Sequence, residues 1–400
     1  MLRDSMSKDT HAPSVHSVHQ LLKPSSKVAR HESPDGGIDR FLLEEYASKG
    51  GSMKRSAYYA LKPFIPRSLQ LALRRRYVEA QKKQTFPAWP IEEVVTTRVE
   101  AYEKTLAERS PSGEFHRIAY WPDGFRFAFA ITHDVEWDSG LRHAPALLQI
   151  EKRLGFISSW NLVPERYPID WKIVDALREV GSEIGIHGLK HDGRLFQSKR
   201  LFLSRLAKIQ EYAHSWGAVG FRSPSTLRNA EWMMAMGFEY DSSFPDSDPY
   251  EPQPGGCCSP WPYFLGNMVE LPLTMPQDHT LYEILKHPDL ALWHVKVAWL
   301  QKVEGLVLIN VHPDYMMSDG RLQQYEEFLS WMKEQRGMWH ALPRDISRWW
   351  RDRDRSNLVA SGGTWEVEEP AAARASVLRV YIRGNSIVRE TIEEPSNNLL

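Results

Sequence analysis

From Trp121 onward, hydrophobic and polar positions alternate between two periods. Arg126 to Thr132 (RFAFAIT) is almost continuously apolar, the pattern of a strand buried on both faces of a parallel sheet. Pro145 to Leu154 then reads as a helix and Phe156 to Val163 as a second strand. Asp170 to Val180 is predicted helical, with Asp170 as its N-cap and Gly181 beyond its end. A third strand runs from Glu183 into His187. Between Gln197 and Trp216, Phe202, Leu206, Ile209 and Ala213 form one stripe at helical spacing. Strand four is placed at Ala218 to Phe221, a short helix near Asn229 to Met236, strand five at Phe238 to Asp241 and strand six at Val269 to Leu273. Thr280 to Val303 is helical with a break at Pro288. Leu306 to Val311 is strand seven, and Leu322 to Gln335 is its helix. Seven strand–helix units over about 230 residues predict an α/β fold, a distorted (β/α)7 barrel at residues 116–351.

The flanks read differently. Residues 1–37 are rich in Ser, Pro and His, without the apolar run of a signal peptide, and are expected to be a disordered tail carrying His11, His16, His19 and His31. Residues 38–115 form a helical lead-in, including a helix start at Pro66 to Gln70 whose Arg74, Arg75 and Arg76 read as a solvated face. Beyond Arg351, Thr364 to Val367 and Ser376 to Val388 alternate apolar and polar around a Gly384-Asn385 turn, so residues 352–400 are expected to be a small β appendage.

Composition narrows the classes. Fifty basic and 51 acidic residues leave a net charge of -1, which argues against nucleic acid or an anionic membrane surface as partner. Two adjacent cysteines, Cys257 and Cys258, make neither a disulfide framework nor a CxxC zinc site. No run of about 18 apolar residues suggests an integral membrane segment, and a cytoplasmic location is expected. No GxGxxG or P-loop follows any predicted strand, which removes support for nucleotide-binding α/β folds.

The residue types that carry chemistry cluster at strand exits, where the C-terminal ends of barrel strands converge on one face. Asp134 and Glu136 follow strand one, His187 and His191 strand three, and Arg222 strand four. Asp241 ends strand five and His312 follows strand seven. An i, i+4 histidine pair at the start of a helical turn puts two imidazoles on one side, suited to a shared metal. Each feature alone also fits a helix cap, a turn or a core residue. Their joint placement carries the reading.

Five ordered motifs extend it: Thr132 to Glu136, His187 to His191, Arg222-Ser223-Pro224, Tyr240 to Ser243, and Leu308 to Pro313. In these the chain resembles the polysaccharide deacetylases, carbohydrate esterases that include chitin and peptidoglycan deacetylases, across about Trp121 to Trp350. Val135 departs from the usual Asp-Asp pair, so the chain resembles the Asp-x-Asp/Glu variant of the first motif. Gly188 replaces a usual Ser or Thr, and Ser225 a frequent aromatic.

The resemblance implies Asp134 as general base and a divalent metal, zinc, on Glu136, His187 and His191, with Asp134 the alternative carboxylate ligand. It implies His312 as general acid, Arg222 pairing with Asp134, Asp241 holding His312, and Pro224 and Leu308 lining the acetyl pocket. The implied activity is hydrolytic removal of N-acetyl groups from an amino-sugar glycan or glycan precursor by a metal-activated water. The carbohydrate is the expected partner, alongside glycan-assembly proteins. The alternatives are another amide hydrolase acting on a small molecule, or a catalytically silent carbohydrate-binding protein.

Overall fold

Fourteen strands build the described part of the chain, which in this computed structural model comprises residues 37–47, 77–79, 81–317, 320–362 and 364–392. The N-terminal tail with its four histidines and the helix start at Pro66 with Arg74 to Arg76 lie outside the described residues. In chain order the strands are β1 Glu114–Ile118, β2 Phe127–Val135, β3 Ser158–Leu162, β4 Glu183–His187, β5 Gly220–Arg222, β6 Tyr240–Asp241 and β7 Tyr263–Leu265. They continue as β8 Met268–Glu270, β9 Leu306–Val311, β10 Met338–His340, β11 Leu358–Ser361, β12 Thr364–Val367, β13 Val377–Arg383 and β14 Ser386–Thr391.

The seven expected parallel strands are all present, as β9-β2-β3-β4-β5-β6-β8 in spatial order. Every residue of β2 is buried, because helices cover one face and the barrel interior the other. The ring is closed by a side chain rather than a ladder. Thr274, just past β8, donates its hydroxyl to the Leu306 carbonyl (2.5 Å) and accepts from Leu308 N–H (3.0 Å). Antiparallel β7 pairs with β8, and β10 lies along the first half of β2, on the side that β3 occupies further on. Three-residue strands of this kind are too short to show a period, and neither was anticipated.

The helices agree closely with the pattern. Asp170 caps Trp171–Glu179 by accepting from Lys172 N–H (3.0 Å), and Ser198 caps Lys199–Trp216. The first barrel helix begins earlier than expected, at Asp138, and carries Pro145 inside it. The expected helix from Thr280 is two pieces, His279–Leu285 and Ala291–Lys302, separated around Pro288. Among the described residues no helix is long and apolar enough to cross a membrane.

The two flanks meet. β1 pairs antiparallel with β13, which pairs with β14 across the Gly384-Asn385 turn, and the helix Val94–Arg109 packs on this sheet. Glu103 of that helix is completely buried between Arg117 of β1 (2.9 Å) and Arg389 of β14 (2.8 Å). The boundary expected near residue 115 therefore passes through a strand. The pairing joins segments some 260 residues apart, which local periodicity does not report.

Candidate active site

Each site residue owes its position to where a strand ends. On β2, alternation points Thr132 and Asp134 into the barrel and His133 out of it. His133 is tied to Glu151 (2.7 Å) and stacks on Trp160, so it belongs to the layer between sheet and helices. Asp134 is buried and fully partnered. Oδ1 accepts from Asn161 of β3 (2.9 Å), and Oδ2 from Asn310 of β9 (2.8 Å) and Arg222 of β5 (3.4 Å). Burial alone would raise its pKa, but His187, Arg222, His312 and the Asn161 hydrogen bond together hold it below the usual carboxylate range.

His187 ends β4. Its Nδ1 donates to the Arg222 carbonyl (3.2 Å), which leaves Nε2 as the lone-pair nitrogen. Burial brings its pKa down to about 4 against the opposing pull of Asp134, so the ring is neutral at pH 7. Four residues on, His191 sits at φ 51°, a left-handed turn that folds its ring back toward His187, with centroids 5.0 Å apart. The turn depends on Gly188, at φ 64°. A Cβ there would lie 2.5 Å from Pro224 Cγ, so the departure from Ser or Thr is the condition for packing this loop on Pro224.

The Nε2 atoms of His187 and His191 are both buried without a hydrogen-bond partner. A Glu136 oxygen lies 2.9 Å from His191 Nε2 without the alignment of a hydrogen bond. One donor atom from each of Glu136, His187 and His191 lies within 4.8 Å of the others. Two orphaned imidazole nitrogens and a carboxylate oxygen converging in this way fit the open three-ligand set of a catalytic divalent cation. Asp134 Oδ2 lies 3.9 Å from His187 Nε2 and is already taken by Asn310 and Arg222.

His312, at the exit of β9, lies three strand positions from β4, the widest separation a seven-strand ring allows. Its Nε2 is 3.8 Å from Glu136 Oε1, and its Nδ1 is 2.7 Å from Asp278 Oδ1. Asp278 Oδ2 also accepts from His312 N–H (2.7 Å). Burial lowers the imidazole pKa, but Asp278, with smaller contributions from Glu136 and Asp134, raises it to about 10.

Asp278 thus stands where Asp241 was expected. Just past β6 it is Ser242 that Arg222 reaches (2.9 Å), while Asp241 takes the opposite face, accepts from Ser243 (2.7 Å) and pairs in register with Glu270. Burial pushes both of these carboxyls up. Asp278 lies beyond β8 in Pro276-Gln277-Asp278-His279 and also caps the helix at His279, so by sequence it passes for an ordinary helix cap. Asn161, Asn310 and Gln277, which accepts from Asn310 (2.8 Å), were likewise not singled out. Asn310 sits within a quoted motif, and its place two residues before His312, on the same strand face, was the available signal. Arg222 meets Asp134 as expected. Pro224 borders a hollow beside His191, while buried Leu308 shares the face of Asn310 one layer deeper.

No family model matches the sequence, and no curated protein matches it. Among solved structures the chain is similar to a putative polysaccharide deacetylase from Mycobacterium smegmatis, at 20% identity and a TM-score of 0.47, over 59% of this chain and 93% of that one. It is similar also to Puue allantoinase (14%, TM-score 0.47, 58% and 92%) and to a probable polysaccharide deacetylase from Pseudomonas aeruginosa PAO1 (16%, TM-score 0.43, 58% and 94%).

Proposed function

We propose that the chain is a metal-dependent hydrolase that removes N-acetyl groups from an amino-sugar glycan or glycan precursor. The observation that carries this reading is the pair of buried, unpartnered imidazole nitrogens converging with Glu136, beside ionised Asp134 and a histidine held by Asp278. Glu136, His187 and His191 would hold the ion, and their nitrogen and oxygen donors suit zinc. Such an ion supplies Lewis acidity, which polarises an acyl carbonyl and makes water nucleophilic near neutral pH.

The chain's own groups supply the proton transfers. Asp134 is the base, its carboxylate fixed by Asn161, Asn310 and Arg222 with Oδ2 3.9 Å from His187 Nε2, beside the metal donors. His312 is the acid. Asp278 accepts from Nδ1, so the proton to be delivered sits on Nε2, on the Glu136 side of the ring. An amine leaves an acyl centre only when protonated as the C–N bond breaks, and a protonated imidazole opposite the base meets that need. Pro224 and Leu308 are assigned to the acyl side of the pocket. The substrate is a carbohydrate, and glycan-assembly proteins are its proposed companions.

Metal analysis of the purified protein, with acetate release from a panel of acetylated glycans with and without chelator, tests the reading. His187→Ala is expected to lose the ion and turnover while keeping the fold. Asp134→Asn keeps the metal and slows turnover by ~10²–10⁴, the usual worth of a positioned base. Glu136→Gln weakens metal binding instead. Loss of metal in Asp134→Asn and retention in Glu136→Gln would exchange the two roles. Chelator-insensitive acetate release would exclude the metal.

A further inference from the structure

Beside the metal donors stands a cation with no carboxylate of its own. Arg166, in the loop after β3, donates from NH1 to the carbonyl of His191 (2.7 Å), whose ring is one of the three donors. Its guanidinium lies 3.6 Å from the ring centroid of Trp137, the residue next to Glu136. It thereby bridges the two loops that carry the donors. The remaining nitrogens are uncommitted: Nε is buried without a partner, and among the described residues no carboxylate comes within 4.0 Å of the group.

The acids around Arg166 are engaged elsewhere. Asp192 forms a bidentate pair with Arg205 (2.7 and 2.6 Å), Glu165 takes Lys190 and Lys208, and Asp138 takes Arg142. Glu136 turns to the histidines. A half-buried guanidinium loses hydration and normally recovers it from an anion, most effectively through two parallel N–H donors. Trp137 adds a second element. It is 50% exposed, one face is covered by Arg166, and the rest of the indole is open to solvent beside the site. The C–H face of a sugar ring packs well on such a surface, since the indole is apolar and rigid and little entropy is lost in ordering it.

We propose that Arg166 and Trp137 form a subsite for an anionic sugar, in which the indole carries the ring and the guanidinium binds a carboxylate or phosphate of the substrate. This rests on the deacetylase reading for the name of the substrate, and it narrows that substrate to acetylated amino sugars bearing a negative charge. The ligand lies on the rim of the site, next to the metal donors, so binding there also sets the distance between the acyl group and Asp134.

The test is calorimetric binding to the metal-loaded protein of three probes: N-acetylglucosamine, N-acetylglucosamine 1-phosphate and N-acetylmuramic acid. At least one anionic probe is expected to bind about tenfold more tightly than the neutral one. Arg166→Gln should remove that advantage while changing neutral-sugar affinity less than twofold, and Trp137→Ala should weaken all three together. Equal affinity for the three probes in the parent overturns the proposal. So does an anionic advantage that survives Arg166→Gln, since the charge then sits on the metal. Equal losses for neutral and anionic sugars in Arg166→Gln also overturn it, because the residue then only supports His191. Acetate release is scored separately: charge-dependent binding without acetate release keeps the subsite and removes the deacetylase, and the converse removes only the subsite.

Discussion

The carboxylate behind His312 decides what kind of hydrolase this site is. Asp278 holds both the ring and the backbone N–H of His312, and so fixes tautomer and orientation together. His312→Ala should keep the metal and cut acetamide hydrolysis by ~10²–10⁴, while acetate esters with good leaving groups lose far less, because they leave without a proton. Asp278→Asn should show the same split at smaller size, and Asp241→Asn should show none. Equal losses on amides and esters in the His312 variant would assign that residue to holding the pocket together. An amide-selective loss in Asp241→Asn would return the supporting role to Asp241.

At the scale of the element, β4 shows how closely strand packing and site are joined. Gly185 faces Asn161 of β3, and a Cβ at 185 would overlap the Asn161 amide oxygen. Gly185→Ala should cost about 1–3 kcal/mol through overpacking, and should also slow turnover by displacing the amide that holds Asp134. Unchanged kinetics in a destabilised variant would detach Asn161 from the chemistry. At the start of the same strand, burial pushes Glu183 up to about 7, although it accepts from Tyr240 (3.0 Å) and Arg344 N–H (3.2 Å). The folded pKa is raised, so between pH ~4.5 and ~7 the unfolded chain gives up this proton while the folded chain keeps it. Stability falls across that window by about 3 kcal/mol and is level above it. Glu183→Gln, which resembles the protonated acid, should melt higher than the parent at pH 8 and alike at pH 4. A lower melting point at pH 8 would show that the ionised form is the native one.

For the whole molecule, the sheet β1-β13-β14 makes the chain's two flanks a single unit on the barrel. Its polar pivot is Glu103, bound by Arg117 and Arg389 with no water-exposed surface of its own. Glu103→Gln leaves the fully buried Arg117 charge under-compensated and should cost about 3 kcal/mol, read by chemical denaturation. A change below ~0.5 kcal/mol would mean that packing, and not this ion pair, fastens the flanks.

Much of this protein is determined by residues close together in sequence. The seven parallel strands follow from apolar runs whose burial needs only that helices cover the outer face and side chains fill the barrel, and the caps at Asp170 and Ser198 follow from contacts two or three residues long. Asp134, Glu136, His187, His191, Arg222 and His312 were legible because strand exits converge by construction of the fold. Which partners they meet is a tertiary matter. Strand parity turned Asp241 away and brought Ser242 in, and Asp278 reached His312 from 34 residues upstream through a loop with no periodic signal. Asn161 and Asn310 met on Asp134 from two different strands, and β1 found β13 across most of the chain. A periodic pattern reports which face a residue shows, whereas the residue opposite it depends on ring closure and register, which bring together side chains that no local rule relates.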